Sequence, residues 1–182
     1  MNPIKSNLQF SVLSERFILS DFDCQEPLLN DFLIKLSFQN QERRLSITTV
    51  MHQKNSLLPI GYYSICPCHI NSESLPKSFG GNLPKKVPAI RLARLGIDKN
   101  FHGMGLGKVL LAHALKRCYY QSVEFGGYVV LIDVKNEKAR SFYEHFGSLE
   151  LIEKSPTIMG IRTKKIEKTL LHQESKSHIR AY

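Results

Sequence analysis

The chain has 182 residues, 42% of them hydrophobic, and carries a formal net charge of +9. That length and apolar share are enough to bury a core, and one domain over 1–182 is expected. No apolar run approaches the roughly 20 residues a membrane span needs, so a spanning helix is excluded. The basic excess favours a polyanionic partner: nucleic acid, a phosphorylated cofactor or an acidic protein.

Cys24, Cys66, Cys68 and Cys118 form no framework. Cys66-Pro67-Cys68 is spaced too tightly for paired zinc ligands, and the expectation is reduced thiols in a cytosolic protein. No basic segment followed by an apolar core opens the chain, so no signal peptide is expected.

In chain order, Phe10 to Phe17 alternates loosely and reads as a first strand or its approach. Phe22 to Pro27 is a turn, and Glu26-Pro27 opens a helix with proline suited to its first turn. Leu28, Leu29, Phe32, Leu33 and Leu36 recur there at helical spacing. The β-branched run Ser46 to His52 reads as a strand, Lys54-Asn55-Ser56 as a turn, and Pro59 to Cys66 as the strand that completes a hairpin. His69 to Pro88 is rich in Ser, Pro, Gly, Asn and Lys and is expected to be a long loop with at most one short helical turn. Ala89 to Ile97 is a strand. Gly107 to Glu124 is a long helix with Val109, Leu110, Ala114, Leu115 and Cys118 inward. Tyr128 to Val134 suits a buried strand. Asn136 to Phe146 is a helix stopped by Gly147. Leu149 to Ile152 and Thr157 to Ile161 are short strands, Thr163 to Leu171 a last helix, and 172–182 a polar, flexible tail. The alternation of strands and helices gives a mixed α/β fold.

The chain is organised around Leu95 to Leu111, whose centre is His102-Gly103-Met104-Gly105-Leu106-Gly107. Three alternating glycines lie between an apolar strand and an apolar helix. Glycine permits positive φ and close approach. A helix that starts just after such a loop leaves its first N–H groups unpaired and its positive dipole end outward. Together these make a phosphate site. A dinucleotide fold would place its glycines in the first βα turn, and a P-loop would need Gly-Lys-Ser/Thr where Gly107-Lys108-Val109 stands. Neither pattern applies. His69, His113 and His145 form no metal constellation and read as structural or exposed.

The loop and its flanks resemble motif A of the GNAT superfamily of acetyl-coenzyme A dependent N-acetyltransferases, with His102 where that motif has Gln or Arg. A second signature lies further on, Asn136-Glu137-Lys138-Ala139-Arg140-Ser141-Phe142-Tyr143-Glu144-His145-Phe146-Gly147. It is similar to the superfamily pattern Asn-x-x-Ala-x-x-Phe-Tyr-x-x-x-Gly-Phe, with Ser148 in the last place. Five further stretches carry a narrower resemblance: Phe22-Asp23-Cys24, Leu28 with Phe32-Leu33, Gly61-Tyr62-Tyr63, Leu75-Pro76, and Arg94 to Asp98. They are similar to the GNAT toxins of type II toxin–antitoxin modules, which acetylate the amino group of aminoacyl-tRNA. The match runs from about Phe22 to Leu171.

The resemblance implies a GNAT fold, with a mostly antiparallel central sheet, a splayed pair of parallel strands and flanking helices. It implies acetyl-CoA as cofactor. The backbone of Gly103, Met104, Gly105, Leu106, Gly107 and Lys108, with His102 at the head of the loop, would grip the pyrophosphate. Leu95, Gly96 and Ile97 would pair with the pantetheine arm, where a free N–H can also stabilise an oxyanion. Asn136 and Phe142 would contact the cofactor, and Asn136 also suits a helix N-cap. Tyr143 would be the catalytic acid that protonates the departing thiolate. No strong general base stands out, which favours an α-amine, since its pKa of about 7.7–8.0 leaves a neutral fraction at pH 7. Arg91, Arg94, Lys77, Lys85 and Lys86, with Arg43 and Arg44, are candidates to meet tRNA phosphates.

The implied partners are aminoacyl-tRNA as substrate and a ribbon-helix-helix antitoxin. A homodimer joined to form the RNA groove is left open. The implied place is the cytoplasm. Two other readings stand beside the toxin: a GNAT enzyme acting on a protein N-terminus, polyamine or other small amine, and a catalytically silent GNAT-fold binding module.

Overall fold

The computed structural model describes residues 7–144, 150–152 and 155–179. Packing divides the chain into two compact units. One is Met1–Cys66 with Leu92–Ala114, the other Pro67–Arg91 with Leu115–Tyr182.

In the first unit β1 (Leu8–Val12) pairs antiparallel with β2 (Ile47–Gln53). The expected first strand thus begins and ends early: Leu13 and Phe17 leave the ladder and bury themselves with Val50. Helix α1 (Pro27–Asp31) starts at the proline, passes into a π-helical turn (Phe32–Leu36) and continues as α2 (Ser37–Glu42). Leu29, Phe32 and Leu33 are buried as the periodicity predicts, but Leu28 and Leu36 are exposed. The wide turn holds an extra residue and rotates the later residues about the helix axis, which takes Leu36 off the apolar stripe. β2 pairs antiparallel with β3 (Pro59–Asn71). Strand order in this unit is β1-β2-β3-β4, with β4 spanning Lys86–Ile97.

The buried ring of Tyr62 joins β3 to α1. It packs on Phe22 and Phe32, and its hydroxyl donates to the Leu29 carbonyl at 2.7 Å. Beside it Gly61 has no room for a side chain. A Cβ there would lie 2.6 Å from Ile97 Cδ1 and 2.8 Å from the Gly96 carbonyl oxygen. Gly61 therefore lets β3 lie close against the last residues of β4. Helix α3 (Leu106–Phe125) comes next, with Leu106, Leu110, Leu111 and Ala114 buried in this unit.

The segment before α1 is latched to the turn after β4. Asp23 Oδ1 accepts from the Gln25 N–H and the Asn30 amide, both at 2.8 Å. Its Oδ2 accepts from the Lys99 ammonium at 2.9 Å. In return the Lys99 N–H donates to the Asp23 carbonyl, and the Asp23 N–H donates to the Asp98 carboxylate. The Lys99 ammonium above all, then the Gln25 N–H and the Asn30 amide, hold the Asp23 carboxyl down at about 2.

In the second unit β4 and β5 (Val129–Asp133) run parallel. β5 pairs antiparallel with β7 (Ser155–Arg162), and β7 with β6 (Glu150–Ile152), giving the order β4-β5-β7-β6. One core cluster joins Leu75, Phe79, Val87, Ala89, Val129, Leu131 and Ile152. The segment His69 to Pro88 differs from the loop expected. β3 reaches Asn71, two 3-10 turns occupy Ser72–Ser74 and Lys77–Phe79, and β4 begins at Lys86. Its polar composition hides two apolar anchors, Leu75 and Phe79, that are buried in the core; the Tyr128 hydroxyl donates to the Phe79 carbonyl.

Helix α4 (Glu137–Glu144) comes after β5; the expected continuation to Phe146 and the stop at Gly147 lie outside the described residues. Helix α5 runs Thr163–Ile179, through much of the stretch read as a tail, and begins where the Thr163 hydroxyl donates to the Gly127 carbonyl at 2.9 Å.

The packing of the first unit makes two outcomes expected. Gly61→Ala forces apart atoms that now leave no space, and should lower unfolding free energy by about 1–3 kcal/mol in denaturant titrations. Asp23→Asn should be less stable than the native chain at neutral pH. Because the folded carboxyl sits below its ordinary value of 3.8, the native advantage is full above that value and fades as pH falls toward about 2. Thermal melts of both proteins from pH 7 to pH 2 check that the gap closes only in that acid window.

Candidate active site

The glycine loop is built within the first unit. Strand β4 ends in Leu95, Gly96 and Ile97. Gly96 is buried, and a Cβ there would sit 3.3 Å from both Cys24 Sγ and Tyr62 Cε1. Just before it, Arg94 lies over the Phe32 ring at 5.2 Å and donates to the Ala93 carbonyl. The Asp98 N–H donates to the Ile60 carbonyl. The buried Asp98 carboxylate then caps the 3-10 turn Lys99–Phe101 by accepting from the Asn100 N–H at 3.0 Å.

His102 is next, and its Nε2 lies 2.7 Å from the Ile97 carbonyl oxygen. A carbonyl can only accept, so Nε2 carries the proton and donates. The position where the resemblance led to Gln or Arg is thus occupied by a side chain that ties the loop back to the end of β4. Gly103 and Gly105 then take φ of +74° and +71°, a region that disfavours side chains. The space where a Gly103 Cβ would project holds no atom within 4 Å. Helix α3 opens at Leu106, so the N–H groups of Leu106, Gly107 and Lys108 have no intrahelical carbonyl before them. An open, backbone-lined cradle at a helix N-terminus fits an anionic phosphate. Further along the helix, His113 stacks on Phe10 and meets the Tyr63 hydroxyl at 3.0 Å. No group of three metal-ligating side chains gathers among the described residues.

The second unit holds the other candidates. Asn136 caps α4: its Oδ1 accepts from the Ala139 N–H at 2.8 Å. Phe142 and Tyr143 lie further along that helix, with their rings edge to face at 5.2 Å between centroids. Tyr143 is 7% exposed. Its hydroxyl is pushed up to about 12, first by burial and then by the charge of Asp133. The phenol therefore keeps its proton at any physiological pH, as a proton donor must.

Asp133 ends β5 and holds Arg91. The Arg91 Nε is 3.0 Å from both carboxylate oxygens, and Nη2 is 2.6 Å from Oδ1. The guanidinium proposed from sequence for phosphate is thus engaged by a carboxylate. Lys77, Lys85 and Lys86 are exposed, in or beside the segment that joins β3 to β4. His145, Gly147 and Ser148 lie outside the described residues.

Sequence reasoning missed Asp98 and Asp133. Each stands directly after an apolar strand run, where a lone acid at a strand end is the available signal. What no local pattern discloses is that Asp133 meets Arg91, 42 residues earlier in the chain.

Comparison with known proteins adds to this geometry. The acetyltransferase (GNAT) domain profile matches residues 50–147. The tRNA-acetylating toxin of Mycobacterium tuberculosis is 30% identical over 145 residues, 80% of this chain and 84% of its own. The toxin AtaT, solved in complex with acetyl-methionyl-tRNAfMet, is 28% identical and superposes with a TM-score of 0.83, covering 90% of this chain and 99% of the other. A tyrosine-to-phenylalanine variant of AtaT, solved with acetyl-CoA and the C-terminus of its antitoxin AtaR, is 26% identical. Its TM-score is 0.76, with 90% of this chain and 98% of the other covered. A domain profile over more than half of the chain, a relative of this identity and coverage, and a glycine cradle at the head of α3 agree, and the protein is a member of the GNAT family of acetyltransferases.

Proposed function

We propose that this protein transfers an acetyl group from acetyl-CoA to the α-amino group of aminoacyl-tRNA, and so blocks translation as the toxin of a toxin–antitoxin pair. The observation that carries this reading is likeness over 90% of the chain to a toxin solved with acetyl-methionyl-tRNA, joined to 30% identity with a tRNA-acetylating toxin. The +9 charge supports a polyanionic substrate.

On this reading each residue has a task. The N–H groups of residues 103–108 hold the pyrophosphate, and His102 keeps the loop in place through Ile97. Backbone groups of Leu95, Gly96 and Ile97 line up the pantetheine arm. Asn136 has its Oδ1 committed to the helix, so its Nδ2 is what it offers the cofactor. Phe142 packs beside Tyr143 and helps to exclude water. When bound, acetyl-CoA supplies an activated acetyl thioester whose leaving group is a thiolate. Tyr143 gives its phenol proton to that sulfur. The acceptor needs no strong base, because an α-amine titrates near pH 8 and is partly neutral at pH 7.

Arg94, Lys77, Lys85 and Lys86 are the groups offered to tRNA phosphates. The partner that silences such an enzyme is an antitoxin, of ribbon-helix-helix type, and the place of action is the cytoplasm. A homodimer that shares the RNA groove accords with the same reading. No helix among the described residues is long and apolar enough to cross a membrane.

Expression in cells tests this directly. The native chain should arrest growth and leave acetylated aminoacyl-tRNA, while Tyr143→Phe should lose about 100-fold or more in transfer rate and spare growth. Acetylated small amines with untouched tRNA would move the protein to another acceptor class. Gly105→Val should weaken acetyl-CoA binding about tenfold by calorimetry, since a β-branched residue at positive φ costs about 1–3 kcal/mol and displaces the cradle.

A further inference from the structure

Helices α3 and α5 share a seam in the second unit. The Tyr119 hydroxyl of α3 donates to Glu167 Oε1 of α5 at 3.0 Å, which sets the two helices side by side. Cys118 and Ile166, one residue earlier on each helix, are buried. A helix turns by about 100° per residue. With Cys118 and Ile166 inward and Tyr119 and Glu167 toward each other, the next residues, Tyr120 and Lys168, stand on the solvent side of the seam. Lys116 and Lys164 lie one turn before them, on the same faces. All four are exposed, and the Lys116 ammonium lies 5.8 Å from the centre of the Tyr120 ring.

The cations at this seam differ from those elsewhere in the chain. Lys35 is met by Asp31, Arg91 by Asp133, Lys99 by Asp23 and Arg140 by Glu144. Among the described residues no carboxylate forms an ion pair with Lys116, Lys164 or Lys168. Glu167 stands between Lys164 and Lys168 in the chain, yet its Oε1 is held by Tyr119. Exposed ammonium groups on flexible stems, grouped across two neighbouring helices, suit a row of backbone phosphates, which they meet without a fixed geometry. The net charge of +9 has part of its seat here.

We propose that the seam of α3 and α5 is a further contact for tRNA: Lys116, Lys164 and Lys168 neutralise backbone phosphates, and the Tyr119–Glu167 bond holds the two helices that present them. The inference rests on the reading of tRNA as substrate, and it names a surface beyond Arg94, Lys77, Lys85 and Lys86. Lys116 belongs to the second half of α3, whereas that helix begins at Leu106 beside the glycine loop. The contact therefore raises affinity for the body of the tRNA and takes no part in acetyl transfer. Phosphate contacts position a nucleic acid without reading its bases, so the seam serves any tRNA alike.

The test is binding of deacylated bulk tRNA to the full chain, read by fluorescence anisotropy over a series of salt concentrations without acetyl-CoA. The native chain is compared with Lys116→Ala, with the double variant Lys164→Ala and Lys168→Ala, with all three changes together, and with Glu167→Gln. Each lost phosphate contact should lower the slope of log affinity against log salt by about 0.7–0.9, so the double variant should lose about 1.5 from it and several-fold in affinity at moderate salt. Glu167→Gln keeps an acceptor for Tyr119 and removes a negative charge from the seam, and should tighten binding. In steady-state acetylation of aminoacyl-tRNA the double variant should raise KM several-fold and leave kcat as it is. Melting temperatures should match the native chain, because exposed lysines contribute little to the fold.

A native chain that binds tRNA, with a salt slope and affinity unchanged in the triple variant, would overturn this inference alone and leave the seam to an acidic protein partner. A native chain that binds no tRNA at all would remove the proposed substrate together with it. Binding of deacylated tRNA involves no acetyl transfer, so an inactive enzyme with lysine-dependent binding would still support the seam as a tRNA contact.

Discussion

A backbone N–H can hold a phosphate only while no carbonyl of the protein has claimed it. On the proposed reading the loop from Gly103 to Lys108 holds a phosphate, and it must then be rigid without spending its own amides on rigidity. The chain meets this constraint with side chains on one flank and apolar anchors on the other. The Asp98 carboxylate caps the turn that enters the loop, and the His102 imidazole fastens the loop to the last carbonyl of β4. Buried Leu106, Leu110 and Leu111 fix the helix that leaves it. The first N–H groups of that helix have no intrahelical carbonyl before them. The same logic explains the glycines outside the loop. Gly61 and Gly96 let β3, β4 and the segment around Cys24 lie so close that the end of β4 has little freedom to move.

The proposed role of Tyr143 as the acid meets a different constraint. Burial makes the Tyr143 hydroxyl a weaker acid, which on its own would hinder proton donation. On that reading a thiolate released beside it would be raised by the same physics, and the transfer would depend on the difference between the two groups. Small nearby charges then carry weight, because they act on one group more than the other. Asp133 is such a charge, and Arg91 holds it through two nitrogens.

The parts of the site that were legible in the sequence are those whose chemistry lies in adjacent residues. Alternating glycines at a strand-to-helix junction impose positive φ and an open helix end, and the structure bears this out at Gly103 and Gly105. Asn136 as a cap is expected from a short polar side chain at the head of an apolar-striped helix. The buried strand Val129–Asp133 and the long helix Leu106–Phe125 were legible for the same reason, since each is an unbroken periodic run. Leu36 misled because the stripe was drawn with an undisturbed period, and a wide π turn is invisible to it. The segment 72–85 misled because composition averages over residues, whereas a core needs only Leu75 and Phe79 from it.

What the sequence determined by itself is therefore local: where strands and helices fall, where backbone amides are left exposed, and which helix carries the tyrosine. Tertiary structure alone decided what those residues meet. His102 meets the Ile97 carbonyl at the end of β4. Arg91 meets a carboxylate 42 residues away. The physical reason is that periodicity and turn chemistry act through neighbouring residues, whereas the partner of a charge is fixed by how the strands align.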